Sequence, residues 1–280
     1  MEKENTEQEP TFTETDTVII SDVHLGSDVS RADVVLAILK TMRFKRLILL
    51  GDMFDDLNFK RLKRRQWKLL SHVRKLSKPG RGVEVVWIKG NHDEQVFELV
   101  SCMLGVEGYN DYEFQFQGKR CLARHGHQFD KFLSDNPVIS KIAATIYLMV
   151  QKYDTPTFRF SRSLKRWSKG WLRNSHRVAN RALNHAAHHG FDMIFCGHTH
   201  QTLEAHRDGV SYYNTGCWTD IPCSMVTMDE THGIRRLTIL GDASDYQVTP
   251  AEGNVFDFDK KQEPGLLPNP GEATEPQFIT

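Results

Sequence analysis

Five short apolar runs punctuate the first two hundred residues, and each closes on a polar, turn-rich cluster. They are Val18 to Ile20 before Ser21-Asp22, Leu47 to Leu50 before Gly51-Asp52, and Val83 to Ile88 before Gly90-Asn91-His92-Asp93. Cys121 to Ala123 before His125-Gly126-His127, and Met193 to Cys196 before Gly197-His198-Thr199-His200, complete the series. Aliphatic runs of this length, bounded by turn residues, read as strands buried on both faces. Between them the spacing predicts helices over Ser30 to Met42, with Val34, Val35, Ile38 and Leu39 on one face, and over Leu57 to Leu76. Strand–helix alternation argues for a layered α/β fold whose site lies just past the strand ends.

Beyond His200 the rhythm changes. Val210 to Asn214, Cys223 to Met228 and Ile234 to Leu240 follow one another closely and suggest a second, partly antiparallel sheet packed on the first. From Ala243 to Thr280 periodicity fades as Pro, Gly, Glu and Asp accumulate, so a disordered tail is expected, as it is for residues 1–16. The intervening domain, 17–242, carries a segment of its own character at about 129–190. It holds no strand pattern, but Val138, Ile139, Ile142, Ala143, Ile146, Met149 and Val150 recur at helical spacing after Pro137. A basic aromatic stretch follows, with Arg162, Lys165, Arg166 and Lys169 interleaved with Trp167 and Trp171. This segment is expected to be a helical lid inserted between two site-bearing strands.

The 36 basic and 36 acidic residues cancel, so net charge points to no partner. No stretch approaches the roughly 20 apolar residues of a membrane-crossing helix, and the acidic N-terminus has no signal-peptide core. The five cysteines lack paired C-x-x-C spacing and read as reduced thiols in a cytoplasmic chain.

The polar clusters carry the chemistry. Asp22, His24, Asp52, Asn91, His125, His198 and His200 offer the carboxylate, imidazole and amide donors that borderline divalent ions take, and a catalytic pair needs one carboxylate to span both ions. Asp22 and His24, two apart, project to one side of an extended chain. Each cluster alone is weak, because a histidine after a strand is more often solvated or satisfied in the core. The five together, each after a strand, are not.

The ordered set S-D-V-H-L, G-D-M-F-D, G-N-H-D, H-G-H and G-H-T-H resembles the calcineurin-like metallophosphoesterase superfamily, from about Val18 to Leu240. The resemblance implies a four-layer α/β/β/α sandwich. It also implies one ion on Asp22, His24 and His200, another on Asn91, His125 and His198, and Asp52 bridging. His92 would contact phosphate and protonate the leaving oxygen, with Asp55 as the carboxylate that orients it. His127 has no ligand role and is read as a substrate contact or a support behind the ligands.

The S-D-V-H-L-G-S spacing, the helical insertion and the catalytic length together look like the bacterial UDP-2,3-diacylglucosamine diphosphatase branch of lipid A biosynthesis. Those enzymes are manganese-dependent peripheral membrane hydrolases, although their members commonly carry arginine where this chain has His92. The donor set would equally accept iron, zinc or cobalt. By this resemblance the substrate is a nucleotide-linked glycolipid diphosphate, approached on the inner face of an anionic membrane. Arg162, Lys165, Arg166 and Lys169 would serve substrate or membrane. A phosphodiesterase or nuclease tracking a nucleic-acid backbone is the second reading, and a non-catalytic metal-binding scaffold the third. No protein partner is indicated.

Overall fold

A computed structural model describes residues 14–130 and 161–260, with the backbone alone for 161–172. Its strands are β1 (Thr17–Ile20), β2 (Arg46–Leu50), β3 (Glu84–Ile88), β4 (Glu107–Tyr109), β5 (Asp111–Phe116), β6 (Lys119–Arg124) and β7 (Met193–Cys196), then β8 (Leu203–Arg207), β9 (Val210–Asn214), β10 (Cys223–Asp229), β11 (Gly233–Asp242), β12 (Asp245–Pro250) and β13 (Val255–Asp257). The helices are α1 (Ala32–Thr41), α2 (Arg64–Leu76), α3 (Phe97–Leu104) and α4 (Ser161–His188).

Two sheets result. A seven-stranded sheet runs β12-β11-β10-β1-β2-β3-β4, and a six-stranded sheet runs β13-β8-β9-β7-β6-β5. Side-chain alternation builds the layers between and around them. Ile19, Ile48, Leu50, Val86 and Ile88 face Ala123, Met193, Phe195 and Tyr213 across the inter-sheet core. The opposite faces of the same strands, Val18, Ile20, Leu47, Leu49 and Trp87, bury against α1 and α2. On the far side Leu122, Ile194 and Tyr212 bury against Val178, Ala182, Leu183 and Ala186 of α4. Helix, sheet, sheet, helix is the four-layer sandwich the resemblance implies, and strands covered on both faces explain the uninterrupted apolar runs.

Several expectations are corrected. The strands after His200 do not form the second sheet by themselves. Of the three expected stretches only Val210–Asn214 (β9) joins it, beside β8 and β13, while β10 pairs antiparallel with β1 and extends the first sheet. The stretch from Leu57 is not one helix. A 3-10 turn at Phe59–Arg61 precedes α2, and the Gln66 side chain fixes the helix start by accepting from the Lys63 and Gly26 backbone N–H groups. The tail does not begin at Ala243. β12 pairs with β11, and Tyr246 and Val248 pack on the first core. At the other end Thr15 donates its N–H to the Arg43 carbonyl, so the chain joins the fold before Thr17. The expected lid divides. The C-terminal half of α4 is the outer helical layer rather than a cover, and the helix predicted over Val138 to Val150 lies outside the described residues.

Candidate metal centre

β1, β2 and β3 run parallel to one another, as do β6, β7 and β9, so the chain leaves all six at their carboxyl ends with a polar loop. The loops interlock. The Asp22 N–H donates to the Gly51 carbonyl (3.0 Å), that of His24 to Asp52 (3.1 Å), that of Gly197 to His125 (2.9 Å) and that of Trp218 to Asp22 (3.0 Å). Across the two sheets, the His198 N–H donates to Asp22 Oδ2 at 2.9 Å.

Two donor groups converge there. His200 Nε2 lies 3.1 Å from Asp22 Oδ1 and 3.2 Å from His24 Nε2, and His24 Nε2 lies 3.8 Å from Asp22 Oδ1. The second group is Asp52, His125 and His198, with His125 Nε2 3.2 Å from Asp52 Oδ2. Asn91 sits between two residues that pack on Asp52. The His92 N–H donates to Asp52 Oδ1 at 2.9 Å, and a Cβ on Gly90 would stand 2.2 Å from that oxygen.

The residues fit a pair of divalent ions. Asp22 Oδ1 and His125 Nε2 are buried without a hydrogen-bond partner, although each has an oppositely charged or lone-pair-bearing neighbour within ion-pair reach. Donor atoms this close to their neighbours yet without a hydrogen bond between them suit a shared cation. The backbone is bent to achieve this. Asp22, His24, Asp52, His198 and His200 all have positive φ, between 48° and 66°. Non-glycine residues hold that region at a cost of about 1–3 kcal/mol each, and only where the surroundings impose it. Asp22 and His24 therefore do not share a side through extended chain, as their spacing suggests. Two left-handed residues turn them toward each other.

The charges are strongly coupled. Burial alone would raise the Asp22 carboxyl, yet His200 and His24 beside it hold it well below the ordinary range, and His125 does the same for Asp52. Conversely, burial disfavours the charged imidazoles, but Asp22 and Asp55 raise His24 to about 9, and Asp52 raises His125 to about 9. His200 rises well above 6.5 against the same burial, chiefly through Asp22. These elevated values stabilise the metal-free fold fully below 6.5, and the contribution is lost as the pH climbs through about 9.

A cation must displace those protons. Loading metal-free protein with manganese near neutral pH is therefore expected to release about two to three protons per chain, and fewer as the pH climbs through about 9. Calorimetry in buffers of different ionisation enthalpy measures the number. Release of none at pH 7 would mean the imidazoles are already neutral.

Other expected residues stand differently. His92 is exposed, 4.9 Å from the His24 ring between centroids, and its Nδ1 bonds the backbone carbonyl of Asp55 at 2.8 Å. The Asp55 carboxylate turns instead to Arg61 (2.9 Å) and His24 Nδ1 (3.6 Å), so the expected carboxylate–His92 pairing is made by main chain. His127 lies behind His125 and His198, with ring centroids 5.5 and 6.3 Å away. Burial, then the charges of those two rings, lower it to about 4, so it is neutral at pH 7. Arg162, Lys165, Arg166 and Lys169 lie on α4, where only the backbone is described.

Two residues at the site went unnoticed in the sequence. Buried Asp130 lies 3.2 Å from His198 Nε2 and accepts from Asn174 Nδ2 of α4 at 2.7 Å. Asp93, also buried, accepts from the Met53 (3.2 Å) and Phe54 (3.0 Å) N–H groups and so fixes the loop that carries Asp52. Asp93 closes the Gly90-Asn91-His92-Asp93 cluster and Asp130 lies three residues beyond His127, with nothing in their spacing to set them apart.

Residues 16–202 match the family model described as calcineurin-like phosphoesterase. The chain belongs to that family of metal-dependent hydrolases of phosphoester bonds. No curated protein matches it. Among solved structures it is similar to a Vps29 mutant from Entamoeba histolytica, at 16% identity over 84% of this chain and 99% of that one, with a TM-score of 0.45. A phosphoesterase from E. coli shows 15% identity over 84% and 97%, TM-score 0.44. A protein described as a predicted phosphoesterase from Streptococcus pneumoniae shows 15% over 85% and 98%, TM-score 0.36. Among the described residues, no helix is long and apolar enough to cross a membrane.

Proposed function

We propose that this chain hydrolyses the diphosphate of a nucleotide-linked glycolipid of the UDP-2,3-diacylglucosamine kind, releasing UMP and an acylated sugar phosphate. The reaction would occur at a two-metal centre with Asp22, His24 and His200 on one side, Asn91, His125 and His198 on the other, and Asp52 between. The convergence of two donor groups bearing partnerless buried atoms carries the metal part of this reading. Two divalent ions, manganese on the example of the resembled branch, would polarise the phosphoryl group and activate water.

The chain's own residues do the rest. His125 Nδ1 lies 2.8 Å from the Leu50 carbonyl, and donating there leaves the Nε2 lone pair for a cation. The Asp55 carbonyl holds His92 Nδ1, and His92 Nε2 is the group we assign to protonate the leaving oxygen. Substrate class follows from α4. Arg162, Lys165, Arg166 and Lys169 recur at the i, i+3, i+4, i+7 spacing of one helical face. The same helix is tied to the site through Asn174, Asp130 and His198. At 1.5 Å per residue, Lys169 lies roughly 7.5 Å along the axis from Asn174 and Arg162 roughly 18 Å. A basic row of that length suits a diphosphate whose remainder extends toward an anionic membrane, where each charge contributes about 1 kcal/mol. It would also suit a nucleic-acid backbone, and that second reading requires activity to fall steeply with salt.

The deciding experiment measures manganese-dependent UMP release from UDP-2,3-diacylglucosamine beside the same compound lacking its acyl chains. Release from the acylated substrate alone is expected. Release from neither, with hydrolysis of a generic phosphodiester retained, removes the glycolipid assignment and leaves the metal centre.

A further inference from the structure

A third donor group adjoins the first. His200, Cys217 and Asp220 each bring one ligand atom within 4.8 Å of the others. The loop from β9 to β10 that carries Cys217 and Asp220 is closely held. Asn214 Nδ2 donates to the Gly197 carbonyl (2.6 Å) and Asn214 Oδ1 accepts from the Gly216 N–H (2.9 Å), which clamps this loop to the one bearing His198 and His200. The next turns are pinned by the Trp218 N–H on the Asp22 carbonyl (3.0 Å) and the Ser224 N–H on the Cys217 carbonyl (3.3 Å). The Cys217 thiol is therefore fixed, 2% exposed, beside an imidazole of the metal centre, and the Thr219 hydroxyl donates to it at 3.4 Å.

Sulfur changes what this corner can hold. The other two groups offer only nitrogen and oxygen, which do not discriminate strongly among manganese, iron, cobalt and zinc. A thiolate with an imidazole and a carboxylate selects thiophilic ions. We propose that His200, Cys217 and Asp220 form a separate site for a thiophilic divalent ion of the zinc or cadmium class, sharing His200 with the manganese-type centre. Binding replaces the thiol proton by the metal–sulfur bond and the proton on the coordinating His200 nitrogen by the metal–nitrogen bond, and both protons pass to solvent. The metal alone is the ligand of this site, so its test requires no substrate.

Cadmium is the probe, because its bond to thiolate gives a near-ultraviolet charge-transfer band that nitrogen and oxygen ligands do not. The full chain carrying Cys102→Ser, which removes the exposed thiol, is titrated with cadmium in the presence of manganese. Burial pushes the Cys121 and Cys223 thiols up to about 12 and raises Cys196 as well, so these compete poorly. The band should saturate at a single equivalent per chain and vanish when Cys217→Ser is added. Asp220→Asn, at a half-exposed position, should keep the band and weaken cadmium binding by about tenfold or more. No band with Cys217 present, or an equal band without it, overturns the site. Should Cys217→Ser fail to fold, unchanged cadmium affinity in Asp220→Asn does so instead.

Discussion

Asp52→Asn is expected to lower kcat on any phosphoester by about a thousandfold, roughly 4 kcal/mol of transition-state stabilisation. The substitution keeps shape and removes charge. Asp52 is 2% exposed, its Oδ2 faces His125 and its Oδ1 accepts from the His92 backbone. An amide oxygen can preserve the His92 contact, so the loop stays in place. It cannot supply the negative charge that Asp52 would provide between two cations in the proposed centre. A second effect separates this from simple unfolding. Without Asp52 the largest influence raising His125 disappears, so His125 should titrate nearer 6.5 and the protons released on metal loading should fall by up to one. Turnover within tenfold of the parent, with manganese still bound, would remove Asp52 from its assigned position between the ions.

How much of this was written in the chain depends on how each residue is buried. Strands covered on both faces, such as Ile19 inward and Val18 outward in β1, must be apolar at every position and stand out as runs. β5 is covered on one face only. Its sequence D-Y-E-F-Q-F alternates with Tyr112, Phe114 and Phe116 toward the core, a period-two signal passed over because no continuous run announces it. β12 was lost for the same reason, its Tyr246 and Val248 separated by polar residues in a stretch rich in turn formers. Among the site residues, histidines and carboxylates just past strand ends were legible, since their types and positions carry the chemistry. Their conformation was not. Five positive φ values are imposed by interlocking loops from two sheets, and although Asp and His enter that region more readily than most residues, nothing local requires it at Asp22 or His200. The Asp55 carboxylate illustrates the same limit, because its choice of Arg61 and His24 over His92 is a matter of three-dimensional placement.

That dependence on placement makes a glycine beside the centre as consequential as a ligand. Gly90 lies near the start of the loop after β3, where it passes Asp52, and a Cβ there would stand 2.2 Å from both the Asp52 backbone nitrogen and Oδ1. The first atom belongs to main chain already committed to the loop network, so no side-chain rotation relieves the overlap. Gly90→Ala must move either the Gly90–His92 turn or Asp52 itself. Moving the turn breaks the 2.9 Å bond from the His92 N–H to Asp52 and displaces Asn91, while moving Asp52 draws it from His125. Overpacking of this kind costs about 1–3 kcal/mol of stability, a fall of several degrees in Tm for a domain of this size. The expected loss of activity is far larger, of order a hundredfold or more, because ligand displacements of about 1 Å suffice for that. Gly80→Ala is the control, since its φ of +85° costs an alanine about 1–3 kcal/mol while a Cβ there meets nothing within 4 Å. Equal loss of activity in the two variants would mean that general destabilisation, and not the displacement of Asp52 and Asn91, governs the effect.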